Sequence, residues 1–190
     1  MSTLTQLVTR SQGMLQRPTE TLQADAIPAP PWRIVMGQHL APLAIVTILF
    51  AGITQALFGI VPMSGQHIVE TVVTIVAYLG TTVLVAVVMK SVVGIASGRP
   101  DFDAAFALIA LSQTPALLGQ AFQAIGGIGP IVMFAGAVYS LVILFKGIPI
   151  VLGVPEEERW KVFGITFIAA LVIEVMVLSF QFTLFGAVGG

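Results

Sequence analysis

The sequence predicts an all-α fold, a polytopic membrane protein with five transmembrane helices, and three observations predict it. The first is composition: of 190 residues, 57% are apolar and only 9% are charged, with mean hydropathy +1.01, whereas a soluble globular domain carries about 25% charged residues. The second is continuity. A helix crossing a bilayer needs ~20 predominantly apolar residues, and no formally charged side chain occurs between Ile34 and Val69. The third is the placement of the eight Lys and Arg residues. Arg10, Arg17 and Arg33 precede the first apolar run, Lys90 and Arg99 border the second gap, and Lys146, Arg159 and Lys161 border the fourth. The other gaps and the C-terminus have none. Basic residues of short loops are kept in the cytoplasm, so the N-terminus is expected inside and the C-terminus outside.

Residues 1–33 read as a cytoplasmic amphipathic segment followed by a Pro-rich linker, and residues 34–190 as the five-helix domain. Leu4, Leu7, Val8, Met14 and Leu15 share one arc at 3.6 residues per turn, which predicts an interfacial helix resting in the headgroup boundary. Pro18 ends it, and the run from Ala26 to Pro31 is a stiff, extended linker. Nothing in the first 33 residues has the apolar core of a secretory signal. Span one is expected at about 40–61, with Trp32 at the inner interface, and an outer turn around Pro62, Gly65 and Gln66. Span two, at about 68–93, carries a hydroxyl stripe of Thr71, Thr74, Tyr78, Thr81 and Thr82, which gains nothing from lipid and should face other helices. At its end, Gly94 to Gly98 reads either as a flexible helix exit or as a small-residue seam.

Span three, at about 104–125, contains Ser112, Gln113, Thr114, Pro115, Gln120 and Gln123. Without it Arg159 and Lys161 would face outward, so the charge pattern retains it. Its many small residues place it at the centre of the bundle. Span four covers about 131–152. Pro155 and Glu156 to Glu158 then suit the amino end of a helix, opening span five at about 161–185, with Trp160 at the inner interface.

The candidate intramembrane polar site is Glu174, Gln181, Gln113, Gln120 and Lys146. A carboxyl group in mid-span costs on the order of 3 kcal/mol by insertion scales, so Glu174 in the middle of span five calls for a functional explanation. Gln181 follows on the same face, while Ser112, Gln113, Gln120 and Gln123 occupy one arc of span three, so the two stripes are expected to meet. Lys146 is the only candidate inside a span for pairing with Glu174; its depth differs from that of Glu174 by ~9 Å at 1.5 Å per residue, and it is expected to snorkel to the inner headgroups.

Other chemistry lacks residues. His39 and His67 lie at opposite ends of span one, and His67 with Glu70 supplies two metal ligands without a third. With no Cys there is no thiolate ligand or nucleophile, and no hydrolase, metalloprotease or nucleotide-binding motif is present. The expectations are no catalytic residues, no metal and no cofactor. A net charge of -1 excludes a general electrostatic case for nucleic acid. The partners expected are the lipid bilayer, and membrane proteins or further copies of this chain.

Three segments carry a family likeness. Leu7 to Arg10 with Met14 to Pro18, then Ser112-Gln113-Thr114-Pro115, then Tyr139 to Pro149 followed by Val154-Pro155-Glu156-Glu157, resemble in order the leader, the proline-containing third span and the tyrosine-led fourth span of the Yip-one (Ypt/Rab-interacting) family, especially its bacterial branch. The resemblance covers about residues 4–185. It implies five spans with a cytoplasmic N-terminus and the C-terminus across the membrane. For eukaryotic relatives it implies binding of Rab-type GTPases, but their Asp-Leu-Tyr-Gly-Pro motif is absent here. The reading of the whole chain is an integral protein of an inner (plasma) membrane with a non-enzymatic organising or partner-binding role. The competing expectation is a small transporter or channel using Glu174 and a Gln-lined third helix.

Overall fold

The computed structural model describes residues 3–58 and 65–188; the turn expected around Pro62 lies outside the described residues. Within them the regular elements are all helical. Five are long and apolar enough to cross a membrane: Trp32–Leu57, His67–Ile95, Phe102–Gln120, Gly129–Leu152 and Arg159–Thr183. Span three is the hub, with 72% of it buried inside the protein against 11% of span five. Small side chains explain this, since Ala104, Ala105, Ala107 and Ala110 are all buried and admit neighbours closely.

Ahead of the spans stand α1 (Thr3–Gln16) and α2 (Pro18–Ala26), which fold into a hairpin. Gly13 leaves room for Thr21 across it, and Arg10 Nε meets Asp25 Oδ2 at 3.0 Å. Leu7, Met14, Leu22 and Ala26 are buried. Leu22 fits the slot left by Gly147 of span four, and the Tyr139 hydroxyl donates to the Leu15 carbonyl at 3.0 Å. Leu7 and Met14 of the expected arc are thus covered by the protein's own helices. Val8 and Leu15, at 63% and 43% exposure, remain outside that contact.

Residues 27–31 are non-helical. Span one then begins at Trp32, eight residues earlier than expected, as α3 (Trp32–Val35), a π-helical turn (Met36–Leu40) and α4 (Ala41–Leu57). The π turn directly precedes Pro42, whose missing N–H disturbs the usual hydrogen-bond ladder. The Trp32 N–H donates to Asp103 Oδ1 at 2.8 Å and its ring meets Phe102 and Phe106 edge-on, joining the feet of spans one and three.

Span two is α5 (Gly65–Ile95). It exits through Ser97, at φ 55°, with the Gly98 N–H donating to the Val93 carbonyl; Gly98 fits between Val93 and Val154. Span three comprises α6 (Phe102–Ser112) and α7 (Thr114–Gln120), ending before the expected residue 125 in turns that include Gly126 and Gly127. Span four, α8 (Gly129–Leu152), stops at Gly153, whose φ of 63° is left-handed. The glutamates before span five do not enter its first turn. They form a preceding turn, and α9 (Arg159–Val188) opens with Arg159 on Glu156 at 2.7 Å and Lys161 near Glu158 at 3.9 Å. The Arg159 guanidinium also covers the Phe145 ring at 4.1 Å.

Candidate functional site

The site is built around the break in span three. Pro115 has no N–H, so the Leu111 carbonyl loses its helical donor; the Thr114 hydroxyl replaces it, donating at 2.8 Å. The Ala116 N–H, freed by the same break, donates to Ser140 Oγ of α8 at 3.0 Å. Close approach is possible because Gly136 of α8 lies against the Pro115 carbonyl, where a Cβ would collide with it. From span one, His39 Nε2 reaches Thr114 Oγ1 at 3.0 Å. Since the threonine hydrogen is committed to Leu111, His39 Nε2 carries the hydrogen of that bond. Its Nδ1 is buried without a hydrogen-bond partner among the described residues.

The break also turns Gln113 toward α5. Its Oε1 accepts from the Tyr78 hydroxyl at 2.8 Å, and the single Thr82 hydroxyl hydrogen is shared between the Tyr78 carbonyl at 3.0 Å and Gln113 Oε1 at 3.2 Å. In this way Tyr78 and Thr82 of the hydroxyl stripe do face another helix. Glu174, near the midpoint of α9, is exposed.

The five candidate residues do not converge. Gln113 is engaged by α5. Gln120, with Gln123, lines a separate cleft of about 320 Å³ that also holds Gln55, His67 and Glu70. Gln181 borders a nearly apolar groove of about 620 Å³ between α5 and α9. Lys146 is exposed toward the C-terminal end of α8 and makes no ion pair among the described residues. Gln113 and Gln120 lie about 10 Å apart along span three at 1.5 Å per residue, so the stripe meets different neighbours at its two ends. No group of three His, Cys, Asp or Glu suited to a metal ion occurs among the described residues.

His39, Thr114 and Ser140 form a cluster not foreseen as one. Thr114 before Pro115 is its visible signal, a hydroxyl placed to satisfy a proline break. Nothing in sequence points His39 at it.

A hairpin closing on five apolar helices, with a proline-broken third span gripped by the fourth, is the setting for the comparison with known proteins. The family model for the Yip1 domain matches residues 13–178. The chain belongs to the Yip1 domain family. The match runs from the hairpin into α9, so it takes in the break, the hairpin seat and Glu174, and it is to the family as a whole rather than to a branch of it. Neither a curated protein nor a solved structure matches the chain. Membership and the five apolar helices together make this an integral membrane protein of the Yip1 family.

Proposed function

We propose that this Yip1-family protein is a non-enzymatic organiser of membrane partners, working in an inner (plasma) membrane with its N-terminus cytoplasmic and its C-terminus outside. One observation carries the reading: the exposed carboxyl group of Glu174 lies at the middle of α9, the least covered span. Facing hydrocarbon it costs several kcal/mol. A polar group on a partner helix removes that cost, and Leu171 and Leu178, exposed one turn to either side, give that helix an apolar track. The conduit reading loses support from the dispersal of its residues, because Gln113 is bonded to α5 and Gln120 faces a different cleft.

The test is a photo-cross-linking residue at Leu178 in native membranes. The expected result is a reproducible adduct with one membrane protein or with a second copy, reduced about ten-fold by Glu174→Leu, and no solute flux from proteoliposomes of either form. An adduct indifferent to Glu174→Leu, or pH-dependent flux abolished by Glu174→Gln, contradicts the proposal.

A further inference from the structure

The cleft at the far end of the bundle from the basic residues is a built polar site within apolar spans. Gln55 of α4, Glu70 and Thr74 of α5, and Gln120 and Gln123 at the end of span three converge on it. Its floor is made by the small residues Ala51 and Gly52, and His67 Nε2 lies 3.4 Å from the Gly52 carbonyl. The Gln55, Gln120 and Gln123 side chains are half-buried and make no hydrogen bond among the described residues. Amides so placed have a cost unless a guest or water satisfies them.

The character of the walls selects the guest. Glu70, which also has a contact within the protein, supplies a formal negative charge, and among the described residues no Lys or Arg lines the cleft. Thr74 spends its hydrogen on the Glu70 carbonyl, leaving its lone pairs to accept, and the amide oxygens add further acceptors. The carboxyl-terminal turns of α4 and of span three end here, against one amino-terminal turn, so the backbone adds partial negative charge. Such a wall suits a cation rich in N–H donors. Among the described residues it lacks the Trp, Tyr and Phe side chains that hold a quaternary ammonium. A space of about 320 Å³ is roughly ten times a water molecule's share of liquid volume, far more than a bare ion needs. Ile53, Val69 and Val72, all about half exposed on the neighbouring surface, offer an apolar track for acyl chains.

We infer that this cleft binds the primary ammonium headgroup of a phosphatidylethanolamine-type lipid. The inference is independent of the role given to Glu174. Its test is lipid retention by the full-length protein, measured by native mass spectrometry in detergent against phosphatidylethanolamine, phosphatidylcholine and phosphatidylglycerol with identical acyl chains. Phosphatidylethanolamine should be preferred about ten-fold over the other two, and Glu70→Gln should erase that preference, since a hydrogen bond to a charged group carries a ten-fold or larger effect. Should Glu70→Gln fail to fold, Gln120→Leu serves in its place, and the headgroup series on the unaltered chain needs no variant. Equal retention of the three lipids, as expected if only water fills the cleft, overturns the inference. So does a preference that survives both substitutions. Free ethanolamine displacing the lipid at equal concentration overturns the assignment to a lipid.

Discussion

Thr114 shows how one side chain keeps a broken helix viable in lipid. It donates to the carbonyl that Pro115 orphans and accepts from His39, so a single hydroxyl joins two spans and repairs a backbone defect. Because no water in the bilayer core is available to replace such bonds, Thr114→Val should lower stability by about 1–2 kcal/mol, while Thr114→Ser should stay within about 0.5 kcal/mol of the parent. Reversible unfolding in mixed micelles measures both. Equal stability of the two variants would mean that the hydroxyl carries no net weight. Sequence alone exposed part of this arrangement. Proline in an apolar run announces a break, and the preceding threonine hints at its repair. His39 was legible only as a residue near the inner end of its helix, because its target is 75 positions away and periodicity carries no information about distance across the bundle.

Among elements, the crossing of α7 with α8 holds the centre together. Gly119 lies against the backbone of Val132 and Met133, and Gly136 against that of Pro115 and Ala116, so the two helices meet main chain to main chain, where packing is the chief source of association in lipid. Gly136→Ala should therefore destabilise by about 2 kcal/mol or more, since backbone cannot step aside as a flexible side chain can. Gly80→Ala, at a helical position with open space around it, should be neutral or slightly stabilising. The same unfolding assay separates them; a loss at Gly80 equal to that at Gly136 would argue against the crossing. Small residues in span three did announce a central helix. The separate surroundings of Gln113 and Gln120 did not show, because an arc drawn at 3.6 residues per turn places residues on one face without saying which neighbour each meets along its length. The hairpin seat was hidden for a different reason: an amphipathic arc fits a headgroup layer and a protein groove equally well, and the slot at Gly147 that receives Leu22 belongs to a span 125 positions away.

For the whole molecule, the distribution of charge and apolar length was enough to find five helices, since lipid demands both a minimum length and a satisfied backbone. The side on which each end lies rests on the basic residues alone. The hairpin, Trp32, the exit of α5 and the turn before α9 gather at the end of the bundle that carries Arg99, Arg159 and Lys161, while Gln55, Gln120 and the entry of α5 lie at the other. Partner docking at Glu174 and lipid capture at Glu70 both presuppose that this axis stands across the bilayer. The absence of native cysteine permits a direct measurement with one introduced thiol at a time and a membrane-impermeant maleimide. Gly126→Cys, in open space, and Gly189→Cys should react in intact cells. Ser97→Cys and Glu157→Cys should react only after permeabilisation. Reaction of Gly189→Cys solely after cells are opened, with Glu157→Cys behaving likewise, would place both ends of span five on one side and contradict the five-crossing account.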